Sequence, residues 1–127
     1  MITVKNISKK YGDFSALKEV SFQVKKGEIL CLLGANGAGK STTINILLNF
    51  TQATSGIAEI NAYDVLKEPI KTKEFLTYIP ENLMLYPTFN AVENLDYFTK
   101  LSGKKFNTNE LKSILLEAGL EEEAHQK

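Results

Sequence analysis

The stretch Gly34-Ala35-Asn36-Gly37-Ala38-Gly39-Lys40-Ser41 constrains this chain more than any other part of it. An unbroken apolar run, Ile29 to Leu33, leads into it, and Ile44, Leu47 and Leu48 follow at helical spacing. Strand, glycine loop, Lys-Ser and helix in that order satisfy Gly-x-x-x-x-Gly-Lys-Ser/Thr in the context the motif needs. Glycines let the backbone curl so that successive N–H groups face one hollow. The helix N-terminus adds partial positive charge for an anion. In that geometry Lys40 reaches the β- and γ-phosphates of a nucleotide and Ser41 ligates Mg²⁺. Thr42 adds a contact towards the α-phosphate. A plain glycine-rich turn is the competing reading, and the complete strand-loop-helix context argues against it.

Such a loop does not by itself separate ATPases, GTPases and nucleotide kinases. The chain has no Asn-Lys-x-Asp sequence with which to read guanine. Its fifteen basic residues are all Lys, so it holds no arginine finger and no Arg-rich lid. Fifteen Asp and Glu balance them, and a net charge of zero gives no field for DNA, RNA or an acidic membrane surface. No nucleic-acid partner is expected. One Cys excludes an internal disulfide and fits a reducing compartment. The longest apolar run falls far short of the roughly 18 residues of a membrane span. The opening MITVKNISKKYG lacks the apolar stretch of a secretory signal. A length of 127 residues suits one compact domain, or part of a larger one.

Alternation of apolar and polar residues predicts strands over Ile2–Ile7 and Ala16–Val24. The run Ile29–Leu33 predicts a strand buried on both faces of a parallel sheet. A helix is expected from Lys40 to about Phe50, with Ile44, Leu47 and Leu48 on one face. Thr54-Ser55-Gly56 reads as a turn before a strand at Ile57–Ile60, and Phe75–Ile79 as a strand closed by Pro80. Asn90-x-x-Glu93 and Asn107-x-x-Glu110 are capping boxes that start two helices. The first runs to about Leu101 with Val92, Leu95, Phe98 and Leu101 inward, and the second carries Leu111, Ile114, Leu115 and Ala118 and stops at Gly119. Leu101-Ser102-Gly103-Lys104 reads as a helix C-cap. Strands thus dominate residues 1–79 and helices residues 80–127.

These residues together resemble the ATP-binding subunit of an ABC transporter over the whole chain, in the ABC-2 or exporter-type branch. Tyr11-Gly12 with Ala16-Leu17 and Val20-Ser21-Phe22 is similar to the opening of such subunits. Gly27-Glu28-Ile29 running into Leu33–Thr43 has the family's form of the phosphate loop. Tyr78-Ile79-Pro80-Glu81, Leu85-Tyr86-Pro87 and Thr88–Leu95 resemble its Q-loop region. The resemblance implies an α/β P-loop NTPase core with a β-rich N-terminal subdomain, the beginning of a helical subdomain and an incomplete sheet. It implies ATP and Mg²⁺ as ligands. The nucleotide would lie on Gly34, Asn36, Gly37, Ala38, Gly39, Lys40, Ser41 and Thr42. Tyr11 would stack on adenine, with Ala16 as a small apolar contact beside it. An aromatic suits that task because every base has a π-face; an ordinary surface Tyr is the alternative. The family usually has Gln where this chain has Glu81. A carboxylate remains a fit ligand for Mg²⁺, and Lys40 and Glu81 are the expected catalytic groups. Pro-Glu at this point favours export, while a solvated loop carboxylate is the plainer reading.

The resemblance further implies a second ATPase subunit, identical or different, and an integral membrane permease docking near Leu83–Phe89. It places the protein in the cytoplasm, on the inner face of the cell membrane. The apolar cluster Leu83, Met84, Leu85, Tyr86 and Phe89 equally suits packing within the helical subdomain. The family's signature, its Walker B strand with catalytic Glu and its switch His have no counterpart, and the one His, His125, sits in a polar tail. The expected picture is the N-terminal part of a longer ATPase, able to bind nucleotide and poor at hydrolysis without a general base. The competing classes are an ABC ATPase acting on ribosomes or DNA, and a nucleotide-binding module without catalysis.

Overall fold

The computed structural model describes residues 1–82 and 84–122. Leu83 of the apolar cluster and His125 of the tail lie outside the described residues. The chain divides into two compact units, Met1–Tyr78 and Ile79–Lys127.

The first unit is built on four antiparallel strands in the order β2-β1-β3-β4. They are β1 (Ile2–Tyr11), β2 (Phe14–Val24), β3 (Ser55–Ile60) and β4 (Tyr63–Asp64). Tyr11 pairs with Phe14, so β1 and β2 form a hairpin closed by Gly12-Asp13, longer than the alternating pattern alone predicts. Val4 and Ile7 are both buried although an odd spacing would send them to opposite faces of a regular strand. A bulge between them supplies the correction: Asn6 adopts φ 49°, and the register shifts there. The bulged backbone is not left unpaired, because Asn6 N–H donates to Ser21 Oγ at 2.7 Å. Glu19 does the same on β2, with φ 50° and its N–H on Ser8 Oγ, between buried Leu17 and half-buried Val20.

Helix α1 (Lys40–Leu47) lays Ile46 onto this sheet. The core comprises Val4, Ile7, Leu17, Ile46, Ala58, Ile60 and Val65. Ile44, expected on the inner face, is 37 % exposed, since the helix contacts the sheet through Thr43 and Ile46 instead. It ends before Phe50 because Asn49 takes φ 57°, with Asn49 and Phe50 N–H groups returning to Ile46 and Asn45 carbonyls. Gly56 lies within β3 rather than in a turn. A side chain there would come 2.4 Å from the Asn6 carbonyl oxygen, so the strand can cross the bulge only as glycine.

Two expected strands are absent among the described residues. Ile29–Leu33 joins no strand ladder, with Ile29 92 % and Leu33 90 % exposed. Its composition suits a central parallel strand, yet such a strand forms only when neighbours supply its hydrogen bonds, and the sheet seen here is antiparallel throughout. Phe75–Ile79 also lacks a ladder. Phe75 N–H instead bonds the Thr72 carbonyl beyond α2 (Pro69–Lys73), and its ring stacks on Tyr63 at 5.8 Å.

The second unit contains α3 (Ala91–Leu101) and α4 (Thr108–Glu117). Both capping boxes form: Glu93 and Glu110 N–H groups donate to Asn90 and Asn107 Oδ1, and each Glu carboxylate accepts from the Asn N–H. Both helices end at a glycine in the left-handed region, Gly103 and Gly119, with the paired N–H to C=O bonds of a Schellman motif. Leu101 and Ala118 lie outward rather than inward, and Phe98, partly exposed, packs on Tyr86 and Tyr97. The residue of α3 that is buried is a polar one, Asn94.

Candidate functional site

Between β2 and α1 the chain turns through the glycine loop. Gly37 and Gly39 both take φ 86°, a conformation that a side chain strains. Gly39 has a second reason to be glycine. An added Cβ would meet Leu17 Cδ2 at 2.5 Å and the Ala16 carbonyl oxygen at 2.7 Å. The end of the loop is therefore pressed against β2, and this contact brings Ala16 next to it. Around Gly37 there is open space.

Gly39 is the N-cap of α1, and no side chain caps the helix. No acidic residue occupies the first turn. The first N–H groups of the helix thus keep their donors and their partial positive charge available to an anion. The Gly39 carbonyl accepts the first helical bond, from Thr43 N–H at 2.9 Å, and a second from Thr43 Oγ1 at 3.0 Å. Lys40 folds back over the loop. Its ammonium donates to the carbonyls of Gly34 at 2.6 Å and Ala35 at 2.9 Å. The Ser41 hydroxyl is exposed and makes no hydrogen bond among the described residues. Thr42 is half-buried, and Asn36 and Ala38 are exposed on the loop. The uncapped first N–H groups of α1, one ammonium and one free hydroxyl fit a polyphosphate with a bound divalent cation.

Tyr11 stands at the end of β1, 50 % exposed. The Lys9 ammonium lies over its ring, 4.8 Å from the centroid. The same ammonium donates to the Gln52 carbonyl at 2.7 Å. Lys9 and Tyr11 meet although the β1–β2 register shifts between Lys9 and Lys10, so their contact is set by the folded hairpin. Glu81 belongs to the second unit and is exposed. No group of three or more His, Cys, Asp or Glu suited to a metal is found among the described residues.

Met84 and Leu85 are exposed, at 82 % and 55 %. Tyr86 and Phe89 pack with Tyr97 and Phe98 of α3, at centroid distances of 4.8 Å for Tyr86–Tyr97 and 5.2 Å for Tyr86–Phe89. The apolar cluster therefore splits between a free rim and an aromatic group held in the unit. The Tyr86 hydroxyl donates to Tyr97 Oη at 3.1 Å, which holds its pKa above the usual tyrosine value. Asn94, which the sequence did not single out, fixes this loop. Its Nδ2 donates to the carbonyls of Tyr86, Phe89 and Asn90 and its Oδ1 accepts from Tyr86 N–H. A polar residue one turn into an amphipathic helix carries no sequence signal that separates this role from an exposed one.

Residues 17–127 match the model of the ABC transporter family. The chain belongs to that family. The linearmycin resistance ATP-binding protein LnrL of Bacillus subtilis is 42 % identical over 103 residues, 81 % of this chain and 33 % of the relative. The spermidine/putrescine import ATP-binding protein PotA of Spiroplasma citri is 34 % identical over 95 % of this chain and 35 % of its own length. The chain thus spans about a third of these ABC proteins. Among solved structures, an ATP-binding subunit of an ABC transporter superposes with a TM-score of 0.77 at 30 % identity, over 100 % of this chain and 53 % of that one. The dimeric ABC transporter cassette MJ0796 gives 0.78 at 26 % identity, over 99 % and 60 %. The P-loop core with an antiparallel N-terminal sheet is the fold of ABC ATP-binding domains, and here its sheet is not closed. No helix among the described residues is long and apolar enough to cross a membrane.

Proposed function

We propose that this chain forms the nucleotide-binding region of an ABC transporter ATPase that binds Mg²⁺ and ATP and couples their use to export across a membrane. The observation that carries the nucleotide reading is the uncapped α1 N-terminus with Lys40 drawn over the loop carbonyls. In this reading Gly34, Asn36, Gly37 and Gly39 present backbone N–H groups to the phosphates, Ala38 does so by giving up its 3.1 Å bond to the Ala35 carbonyl, and Thr42 contacts them beyond the loop. The Lys40 ammonium exchanges the Gly34 and Ala35 carbonyls for phosphate oxygens. Ser41 would hold Mg²⁺, which when bound neutralises charge on the phosphates. Tyr11 stacks on the base with Ala16 beside it. Glu81 enters as a metal-contacting catalytic group on the resemblance alone.

Export is supported by the Pro80-Glu81 form and by relatives named for linearmycin resistance and, in Escherichia coli, for a probable multidrug transporter. Relatives named for import of spermidine/putrescine and Fe(3+) weigh the other way. The partners in this reading are a second ATPase subunit and a membrane permease that meets the rim at Met84 and Leu85. The protein then works on the cytoplasmic face of the membrane.

Calorimetric titration of the chain with Mg-ATP tests the nucleotide reading. Lys40→Ala is expected to weaken binding at least tenfold, about 1.4 kcal/mol. Ser41→Ala is expected to remove the gain in affinity that Mg²⁺ brings. Unchanged affinity in both variants would sink the assignment. Fractionation of cells carrying the tagged protein tests the transport reading: recovery with an integral membrane protein supports it, and recovery with ribosomes overturns it.

A further inference from the structure

Tyr11 alone, at a strand end beside a two-residue turn, would be a poor platform for a planar ligand. Half its surface is free, and a mobile ring must be ordered each time it is used. The structure removes that freedom with a side chain no phosphate-loop motif includes. Lys9 places its ammonium over one face of the ring, 4.8 Å from the centroid, and donates to the Gln52 carbonyl at 2.7 Å. The acceptor is itself anchored. Two residues on, Thr54 N–H donates to the Ser8 carbonyl at 2.8 Å, and Lys10 N–H donates to Thr54 Oγ1 at 3.0 Å. Segment 52–54 is therefore zipped to the end of β1, and it follows directly from the capped end of α1, whose first residue is Lys40. At the other end of that helix, Gly39 is pressed on Ala16 and Leu17 of β2. Phosphate loop, α1, segment 52–54 and the Tyr11 hairpin form one frame within the first unit, joined by packing at Gly39 and by hydrogen bonds at residues 52–54.

We propose that Lys9 is a positioning residue for the base: it braces the Tyr11 ring against the Gln52 carbonyl and leaves one face open for an adenine whose phosphates lie in the loop. The inference rests on the nucleotide reading above. The brace has two parts with different chemistry. The ammonium over the ring face is a cation–π contact, modest at an exposed site. The bond to Gln52 fixes where that ammonium sits. Lys9→Met keeps an apolar stem of similar length and loses both. Lys9→Arg keeps a cation that can lie on the ring and donate to the carbonyl.

The test compares two ligands of the full chain, ATP and inorganic tripolyphosphate, in the presence of Mg²⁺. Tripolyphosphate engages the loop and has no base. Lys9→Met is expected to weaken ATP about threefold relative to tripolyphosphate, and Lys9→Arg to restore most of the difference. In a Tyr11→Leu background, Lys9→Met is expected to add no further loss, because no ring is left to brace. A loss equal for both ligands would overturn the proposal and make Lys9 a simple contributor of positive charge. A loss for ATP that persists in the Tyr11→Leu background would also overturn it, as would no loss at all. If the parent chain binds tripolyphosphate but shows no preference for ATP and no effect of Tyr11→Leu, base stacking fails while the phosphate assignment stands. If it binds neither ligand, the nucleotide reading itself falls, and the brace with it.

Discussion

Asn94 is a small side chain with four bonds to make, and all of them are local. It is 6 % exposed, and it holds three carbonyls and one N–H of the loop between Tyr86 and Asn90. Removing it leaves the Tyr86 N–H and the Phe89 carbonyl without these partners, while the Tyr86 and Asn90 carbonyls keep the backbone N–H groups of Phe89 and Asn94, and a lost hydrogen bond costs about 1 kcal/mol. Asn94→Ala is expected to destabilise the second unit by that order. Limited proteolysis should then cut within residues 84–90 faster than in the parent. An unchanged digestion pattern would show that the aromatic group of Tyr86, Phe89, Tyr97 and Phe98 holds the loop without it. Gly39 makes the same kind of case in the first unit. Gly39→Ala must accept a left-handed backbone and push its Cβ into the Ala16 carbonyl, a combination of strain and overpacking that costs about 1–3 kcal/mol. Its urea midpoint is expected to fall. A midpoint equal to the parent's would mean that the loop lifts off β2 without loss.

At the scale of elements, what the sequence makes legible is what depends on neighbours along the chain. Both capping boxes and both glycine helix ends of the second unit form where Asn-x-x-Glu and Gly place them, because cap and capped group lie within a few residues. Asn107→Ala should cost about 1 kcal/mol of helix stability, read as lost ellipticity and a lower melting temperature. Asn107→Asp should retain most of it, since a carboxylate also accepts from the Glu110 N–H. Equal loss in both variants would contradict the capping assignment. The bulges at Asn6 and Glu19 were not legible. They arise where two strands must each turn residues three apart, Val4 with Ile7 and Leu17 with Val20, towards one core. That demand comes from the partner strand and not from the local run.

The whole molecule carries much apolar surface on its outside. Ile29, Leu33, Ile70, Ile79 and Met84 are each more than three-quarters exposed. Such surface usually marks a place where something else packs. The chain in isolation is expected to self-associate, with a sedimentation coefficient that rises with concentration. Leu33→Lys combined with Ile29→Lys should reduce the effect. A monodisperse monomer at high concentration would show that these residues find cover within the chain. The glycine loop, the helices that begin at Asn90 and Asn107 and the strand character of β1 and β2 follow from the sequence by itself, because turn geometry, caps and alternation act over a few residues. The sequence also carries the family resemblance, through the loop Gly34–Ser41 and its flanks, and the family model bears it out. Only the tertiary structure decided that Ile29–Leu33 and Phe75–Ile79 join no strand ladder, that Gly39 seats on β2 and that Lys9 spans from Gln52 to Tyr11. A strand needs hydrogen-bonding partners far away in the chain, and a contact between residues 9 and 52 exists only after the sheet has brought them together.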